Sequence, residues 1–514
     1  IWLHQNGAPS TLDLYDYKPE LVKLAGQEIP ASFLKGIKTS TQGGVGKLYV
    51  SPQRTWKQYG ESGAWFSDLL PNLAQHADKL TFIKSSTTVG ATHDISILKL
   101  NTGDVNPGRP SLGAWITYAL GSANKDLPPY VVLYNGDREP SAGSVNWSSG
   151  FLPAVYQGTA FRPGASPILY LDRPDIRTPQ QQRKSLDLLK RLNSLGAERY
   201  PGDTELRARI QSYELADRMQ AAAPAAVDIS KETAATKELY GLNDKTSQSY
   251  GEVLLRARRL VENGVRFIQV VSGYPEGADI DRTSWDAHND LDKNHGLMAK
   301  MVDKPIAGLL KDLKSRGLLK DTLVLWGGEF GRGVAGQGKW DSPESGRDHH
   351  PRCFTVWLAG GGIRPGVSHG STDEFSYNAV ENPVHVRDLH ATVLHLLGID
   401  HERFGHRFQG LDFRLTGVEE ARVHDLDRPG RQQRHAVIGL LADRNRVVAE
   451  RLDVEDREVL GDALDLLQHH DVRLERGQPP VEMRGARLDR VDVPGGDLHG
   501  ARDYLNEGGA CRRF

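Results

Sequence analysis

Residues able to hold a metal ion or move a proton gather in short runs, each beside an apolar stretch. The run Trp285-Asp286-Ala287-His288-Asn289-Asp290-Leu291-Asp292-Lys293-Asn294-His295 combines carboxylate oxygens with imidazole nitrogens. That donor set suits zinc, manganese or iron. A helix beginning near His288 would put Asp292 and His295 on the same face as it; the alternative is a solvated helix start capped by aspartate. In Trp326-Gly327-Gly328-Glu329-Phe330-Gly331-Arg332 a carboxylate sits in a glycine-rich turn beside Arg332. It reads as a ligand at a crevice rim or as a surface Glu–Arg pair. Gly346-Arg347-Asp348-His349-His350-Pro351 offers adjacent histidines in a loop stiffened by proline, and either His349 or His350 is an expected ligand. Arg347 could neutralise an oxyanion by bidentate contact. Thr92-His93-Asp94 precedes an apolar run. Unpaired backbone N–H groups at a helix start favour a nucleophile or a bound anion, and ordinary capping explains the pattern equally well. His390, inside an amphipathic helical run, reads as a satisfied core or surface histidine.

The elements that must position these residues alternate between strand and helix, the pattern of a layered α/β sheet. Expected strands are Ile1–Leu3, Leu80–Ile83, Tyr130–Leu133, Val265–Val271, Thr322–Trp326 and Phe354–Leu358. Val253–Val261 and Ile306–Leu313 carry helical stripes, and Gly264 and Gly317 stop them. The metal-binding runs fall just after or before strands, where an open α/β sheet places its ligand crevice. Residues from about 175 to 245 are rich in Gln, Arg, Lys, Ala and Leu and read as a helical excursion laid over the sheet. From residue 417 to 514 the chain has no lysine or tryptophan and two aromatics, Tyr504 and Phe514. Leu460–Leu467 is a possible helix there. The segment reads as a poorly packed appendage, disordered or spurious.

Composition narrows the field further. A chain of 514 residues with net charge -2 gives no bulk electrostatic case for nucleic acid or an anionic membrane. No apolar run approaches the ~20 residues of a membrane helix. The two cysteines, Cys353 and Cys511, match no zinc or redox spacing, and Cys353 lies in an apolar run as an inert thiol. The chain begins at Ile1, which suggests a fragment or processed form with any targeting signal upstream.

Asn6-Gly7-Ala8-Pro9-Ser10-Thr11-Leu12-Asp13, the Trp285–His288 loop, Gly327–Arg332, Gly346–Pro351 and Val386-Arg387-Asp388-Leu389-His390-Ala391-Thr392 together resemble the domain of unknown function 1501 family. The resemblance runs from residue 1 to about 416. That family is placed in the alkaline phosphatase superfamily, beside sulfatases and nucleotide pyrophosphatases. It implies an alkaline phosphatase-like mixed sheet with helices on both faces and a divalent metal centre at one sheet end. Zinc is the foremost expectation, with manganese, iron or calcium as alternatives. It also implies hydrolysis of phosphate or sulfate esters of small molecules or polysaccharides, and export to the periplasm or beyond, often behind a twin-arginine signal in planctomycete-like bacteria.

Carried across, Asp286 and His288 resemble the central metal loop, Glu329 the strand-end carboxylate ligand, and His349 or His350 the late histidine before a core strand. His93 stands where relatives carry a Ser, Thr or Cys nucleophile, with Thr92 just before it. No Cys-x-Pro-Ser-Arg signature is present and Asn6 stands near a relative's aspartate. Both departures argue against a formylglycine sulfatase and a two-metal site of standard composition. The expected mechanism has divalent ions polarising an ester oxygen, Arg347 or Arg332 stabilising developing charge, and Thr92 as nucleophile. The rival is a non-catalytic exported binding or assembly protein of the same fold. A phosphomutase-like transferase would require a phosphorylatable hydroxyl.

Overall fold

The computed structural model describes residues 1–34, 47–51, 53–136, 139, 142–164, 167–168, 178–199, 204–274, 284–337, 342, 344–417, 421–424 and 426. All of them fall in the first of two units, Ile1–Arg444. The expected Leu460–Leu467 helix, Cys511 and nearly all of the C-terminal appendage lie outside the described residues.

A nine-stranded sheet organises the chain. Its strands are β1 (Trp2–Gln5), β2 (Leu80–Thr87), β3 (Tyr130–Tyr134), β4 (Thr159–Phe161), β5 (Phe267–Ser272), β6 (Leu323–Gly327), β7 (Phe354–Gly360), β8 (Val367–His369) and β9 (Val384–His385). Their order is β8-β2-β7-β6-β1-β5-β3-β4, with β9 also on β2. The pairs β1–β5, β1–β6, β3–β5, β3–β4, β2–β8 and β2–β9 are parallel, and β7 is antiparallel to both β6 and β2. The expected mixed sheet is therefore present. All six anticipated strands occur within a few residues of their expected bounds. Short edge strands β4, β8 and β9 escaped notice because three residues or fewer carry too little periodicity to register.

Period-two alternation gives each central strand two buried faces. In β3, Val131 and Leu133 enter one core and Tyr130, Val132 and Tyr134 the other. The first core is closed by α5 (Lys245–Glu262) and α6 (Leu291–Ser315), through Val253, Leu254, Ala257, Met298, Val302, Ile306 and Leu309. The second is closed by α2 (Leu112–Leu120) and α7 (Val386–Leu396). Helix α1 (His93–Thr102) joins this side through Asn101, which takes hydrogen bonds from Trp2 Nε1 (3.4 Å) and Gln269 Nε2 (3.0 Å). Trp326 and Trp357 stack across β6 and β7 at 5.8 Å. The helical excursion consists of α3 (Pro179–Arg199), α4 (Thr204–Val227) and the short Ala234–Leu239 helix. No helix among the described residues is long and apolar enough to cross a membrane. Cys353 is buried with Sγ against the Ser376 carbonyl (3.0 Å), and burial raises its pKa, as an inert thiol requires.

Because β7 alone is reversed, the residues entering β7 share an edge with the carboxyl ends of β1, β2, β5 and β6. All four donor-bearing runs of the sequence therefore converge on one side of the sheet.

Candidate metal centre

The loop after β5 shows how the sequence aims its side chains. Trp285 is fully buried, its indole N–H donating to Gln5 Oε1 (3.1 Å) and its main-chain N–H to the Asn6 carbonyl (3.1 Å). Ala287 is buried as well, so the intervening Asp286 and His288 turn outward together. The β1 loop packs hard against this segment. Gly7 has φ +92, and a Cβ there would lie 2.6 Å from Ser284 Oγ and 2.7 Å from Asp286 N. Only glycine fits that approach.

Asp286 is the hub. Its Oδ1 lies 3.0 Å from His288 Nε2, 3.2 Å from His349 Nε2 and 2.5 Å from Arg332 Nη2. Its Oδ2 lies 3.1 Å from His93 Nε2. His288 Nε2 and His349 Nε2 are themselves 3.0 Å apart. Burial alone would raise the Asp286 carboxyl. The His288, His349 and His93 rings around it, with the Arg332 charge, outweigh it and hold the group far below the usual carboxylate range. The bond to Asp286 raises His288 despite its desolvation. Burial lowers His93, but its bonds to Asp286 and Glu329 overcome this and carry it up to about 9.

The donor set fits a cation. His349 Nδ1 meets the Ala91 carbonyl at 2.6 Å, and a carbonyl only accepts, so Nδ1 carries a proton and the neutral ring has its lone pair on Nε2. His288 Nδ1 meets Gln337 Oε1 at 2.6 Å with the same consequence. Two imidazole lone pairs and a carboxylate oxygen thus face one another across 3.0–3.2 Å. Bonds of about 2.0–2.1 Å in a tetrahedral zinc site separate ligands by ~3.3 Å, close to this triangle. Two nitrogens among three donors favour zinc over calcium, which takes oxygen ligands. Ligand atoms of His93, Asp286 and His349 lie within 4.8 Å of one another, as do those of His288, Asp348 and His349.

Not every anticipated residue joins. Glu329 is fully buried behind His93: its Oε1 takes hydrogen bonds from His93 Nδ1 (2.6 Å) and Gly7 N (3.1 Å), and Oε2 faces His4 Nε2 at 3.5 Å. It belongs to neither ligand triad. Burial would raise its carboxyl, but His4 and His93 bring it down to about 2. Glu329 Oε2 and both His4 ring nitrogens lack a hydrogen-bond partner among the described residues.

His350 turns away to the Tyr377 carbonyl (2.6 Å), and burial pushes its pKa down to about 4. The reason is the ribbon Gly331–Arg332/His349–His350, in which His349 pairs with Arg332 and His350 with Gly331. Cross-strand partners share a face and neighbours along a strand do not. His349 and Arg332 therefore both reach Asp286. His349→Gln is expected to lower cation uptake at least about tenfold, whereas His350→Gln should leave uptake unchanged in equilibrium dialysis.

Arg347 is fully buried away from the hub. It grips Asp13 through Nε (2.7 Å) and Nη2 (3.1 Å) and donates to the Gly333 and Tyr49 carbonyls (both 3.0 Å). Thr92 is exposed at the N-cap of α1 and makes no side-chain capping bond; the imidazole after it is what reaches Asp286. Helix α6 begins at Leu291, after Asp290 in a left-handed conformation (φ 46), and not at His288. Asp292 consequently pairs with Ser51 and Arg54, and His295 Nε2 accepts from Ser10 N (2.8 Å). His390 is a core histidine against the Leu100 carbonyl (2.8 Å). His4, Asp348 and Gln337 were missed. Asp348 stood in a run already singled out, and His4 in a buried strand was a visible signal.

No curated protein matches the chain. Among solved structures it is similar to a sulfatase from Pseudoalteromonas sp., at 14% identity and TM-score 0.31 over 65% of this chain and 63% of that one. It is similar to a lipoteichoic acid synthase from Listeria monocytogenes, at 11% identity and TM-score 0.31 over 74% and 78%. A protein in the alkaline phosphatase superfamily from Vibrio parahaemolyticus gives 11% identity and TM-score 0.28 over 76% and 78%. The chain spans less than two thirds of the length of the sulfatase. The family model for proteins of unknown function DUF1501 matches residues 1–426, ten residues past the expected limit of about 416, and the chain belongs to that family.

Proposed function

We propose that this protein is an exported metal-dependent hydrolase of phosphate or sulfate esters, acting on small molecules or polysaccharides. The carrying observation is the triangle of Asp286 Oδ1, His288 Nε2 and His349 Nε2, whose lone pairs are aimed at one point by partners behind each ring. A divalent cation there, zinc by the donor set, would polarise an ester oxygen and acidify water. The chain's own groups then divide the work. Asp286, His288 and His349 hold the cation, with Asp348 within reach of the same two imidazoles. Arg332 fixes Asp286 from a wholly buried position, its guanidinium also anchored on the Gly7 and Ala8 carbonyls. His93, oriented through Nδ1 by Glu329, presents Nε2 to the same space. There it is placed to give a proton to a leaving oxygen or to offset charge on the ester.

One observation favours the rival reading of a cation-holding protein without turnover. Both arginines expected to grip an oxyanion are committed to internal partners, Arg347 to Asp13 and Arg332 to Asp286 and main-chain carbonyls. The test is elemental analysis of protein purified without chelators, followed by assays on aryl phosphate and aryl sulfate esters. Wild type should carry a divalent ion and hydrolyse one class, and His288→Ala should lose both. A metal-loaded wild type without turnover establishes the rival, and turnover unchanged in His288→Ala refutes the assignment.

A further inference from the structure

The two histidines that aim lone pairs at the cation are held from behind in different ways. His349 Nδ1 is fixed by a main-chain carbonyl, that of Ala91. His288 Nδ1 relies on a side chain, the Gln337 amide, at 2.6 Å. We infer that Gln337 is a positioning residue of the cation centre: its amide oxygen fixes the His288 proton on Nδ1 and so delivers Nε2 as a ligand. This rests on the reading of Asp286, His288 and His349 as a cation site.

The structure builds a platform for that contact. Gln337 N donates to the Gly346 carbonyl (2.9 Å) and Gly346 N returns a bond to the Gln337 carbonyl (3.3 Å), closing a two-bond antiparallel bridge. The main chain of Gly346 is pressed onto His288, where a Cβ would lie 2.0 Å from the His288 carbonyl carbon and 2.2 Å from its oxygen. A second bridge, Asn289 with Ser345, ties down the next residue along. Backbone contacts thus fix the main chains of Gln337 and His288 relative to each other. The chemistry follows from the amide end that faces the ring. An oxygen only accepts, so it requires Nδ1–H and leaves Nε2 bare; an NH2 would require a bare Nδ1 and put the proton on Nε2, toward Asp286 and in the cation's place. Hydrogen bonding of this kind orients the ring and raises its basicity, and losing it typically costs about 10- to 100-fold in metal affinity.

Gln337→Met keeps the length and removes the acceptor, while Gln337→Glu supplies oxygen only. Zn2+ affinity is measured by competition with a chromophoric chelator, and the Co2+-loaded forms are compared by visible absorption, with unfolding in chelator as the check on folding. Gln337→Met should bind Zn2+ about 10- to 100-fold more weakly, and Gln337→Glu at least as tightly as wild type with a wild-type Co2+ spectrum. Gln337→Ala replaces Gln337→Met if the latter does not fold. A Gln337→Met affinity within about twofold of wild type, well short of that loss, overturns the inference while leaving the cation site standing. So does a Gln337→Glu protein as weak as Gln337→Met. A wild type that binds neither metal overturns both readings.

Discussion

Asp286→Asn is expected to abolish cation uptake and to reduce ester hydrolysis by about two to three orders of magnitude, the scale seen when a single charge-stabilising group is removed from an active site. The change is nearly isosteric, so its effect is electrostatic. The carboxylate sits among His93, His288, His349 and Arg332 and touches all four. Replacing it by a neutral amide leaves the buried Arg332 guanidinium without its counter-charge and offers NH2 where the cation needs a lone pair. Elemental analysis and turnover of an aryl ester should fall together while the far-UV circular dichroism stays. Uptake retained in Asp286→Asn would remove Asp286 from the ligand set.

The second large effect is on stability. Arg347→Met is expected to destabilise the fold by about 3–5 kcal/mol, the cost of leaving one partner of a buried pair without the other, read by urea unfolding. Its guanidinium and the Asp13 carboxylate are 1% and 7% exposed, and Ser10 completes the cluster. Burial by itself would raise the Asp13 carboxyl, but the Arg347 charge and hydrogen bond, with Ser10, hold it below its usual value. A carboxyl depressed in the folded state contributes stability that is present above the unfolded pKa of about 4 and is lost as pH falls through the folded value. In Arg347→Met the buried carboxyl loses its cation and protonates more readily. The gap between wild type and variant should therefore narrow as pH drops below about 4. A gap constant with pH would show that Asp13 and Arg347 do not act as a pair.

Local sequence determined a good deal of this protein. Apolar runs bounded by glycine set the central strands, since a strand buried on both faces must be continuously apolar. The candidate donor runs were visible from donor type alone, and their position beside strands followed from the crevice of an open sheet. Asp286 and His288 were legible from donor type and from the resemblance of the Trp285–His288 loop, and buried Trp285 and Ala287 then turn them outward together. Tertiary structure decided which of the remaining donors join. His349 and His350 are neighbours with opposite directions, and the choice is made by pairing with Arg332, in a run singled out separately in the sequence. Glu329 faces inward because the Gly328 backbone lies against Ala8 and Pro9, placing the carboxylate behind His93. Arg347 is claimed by Asp13, 334 residues away in the chain. Period and spacing report only a residue's near neighbours along the backbone. The direction of a side chain in a loop is fixed by whatever the fold brings against it, and for Glu329 and Arg347 that came from the N-terminal segment 8–13.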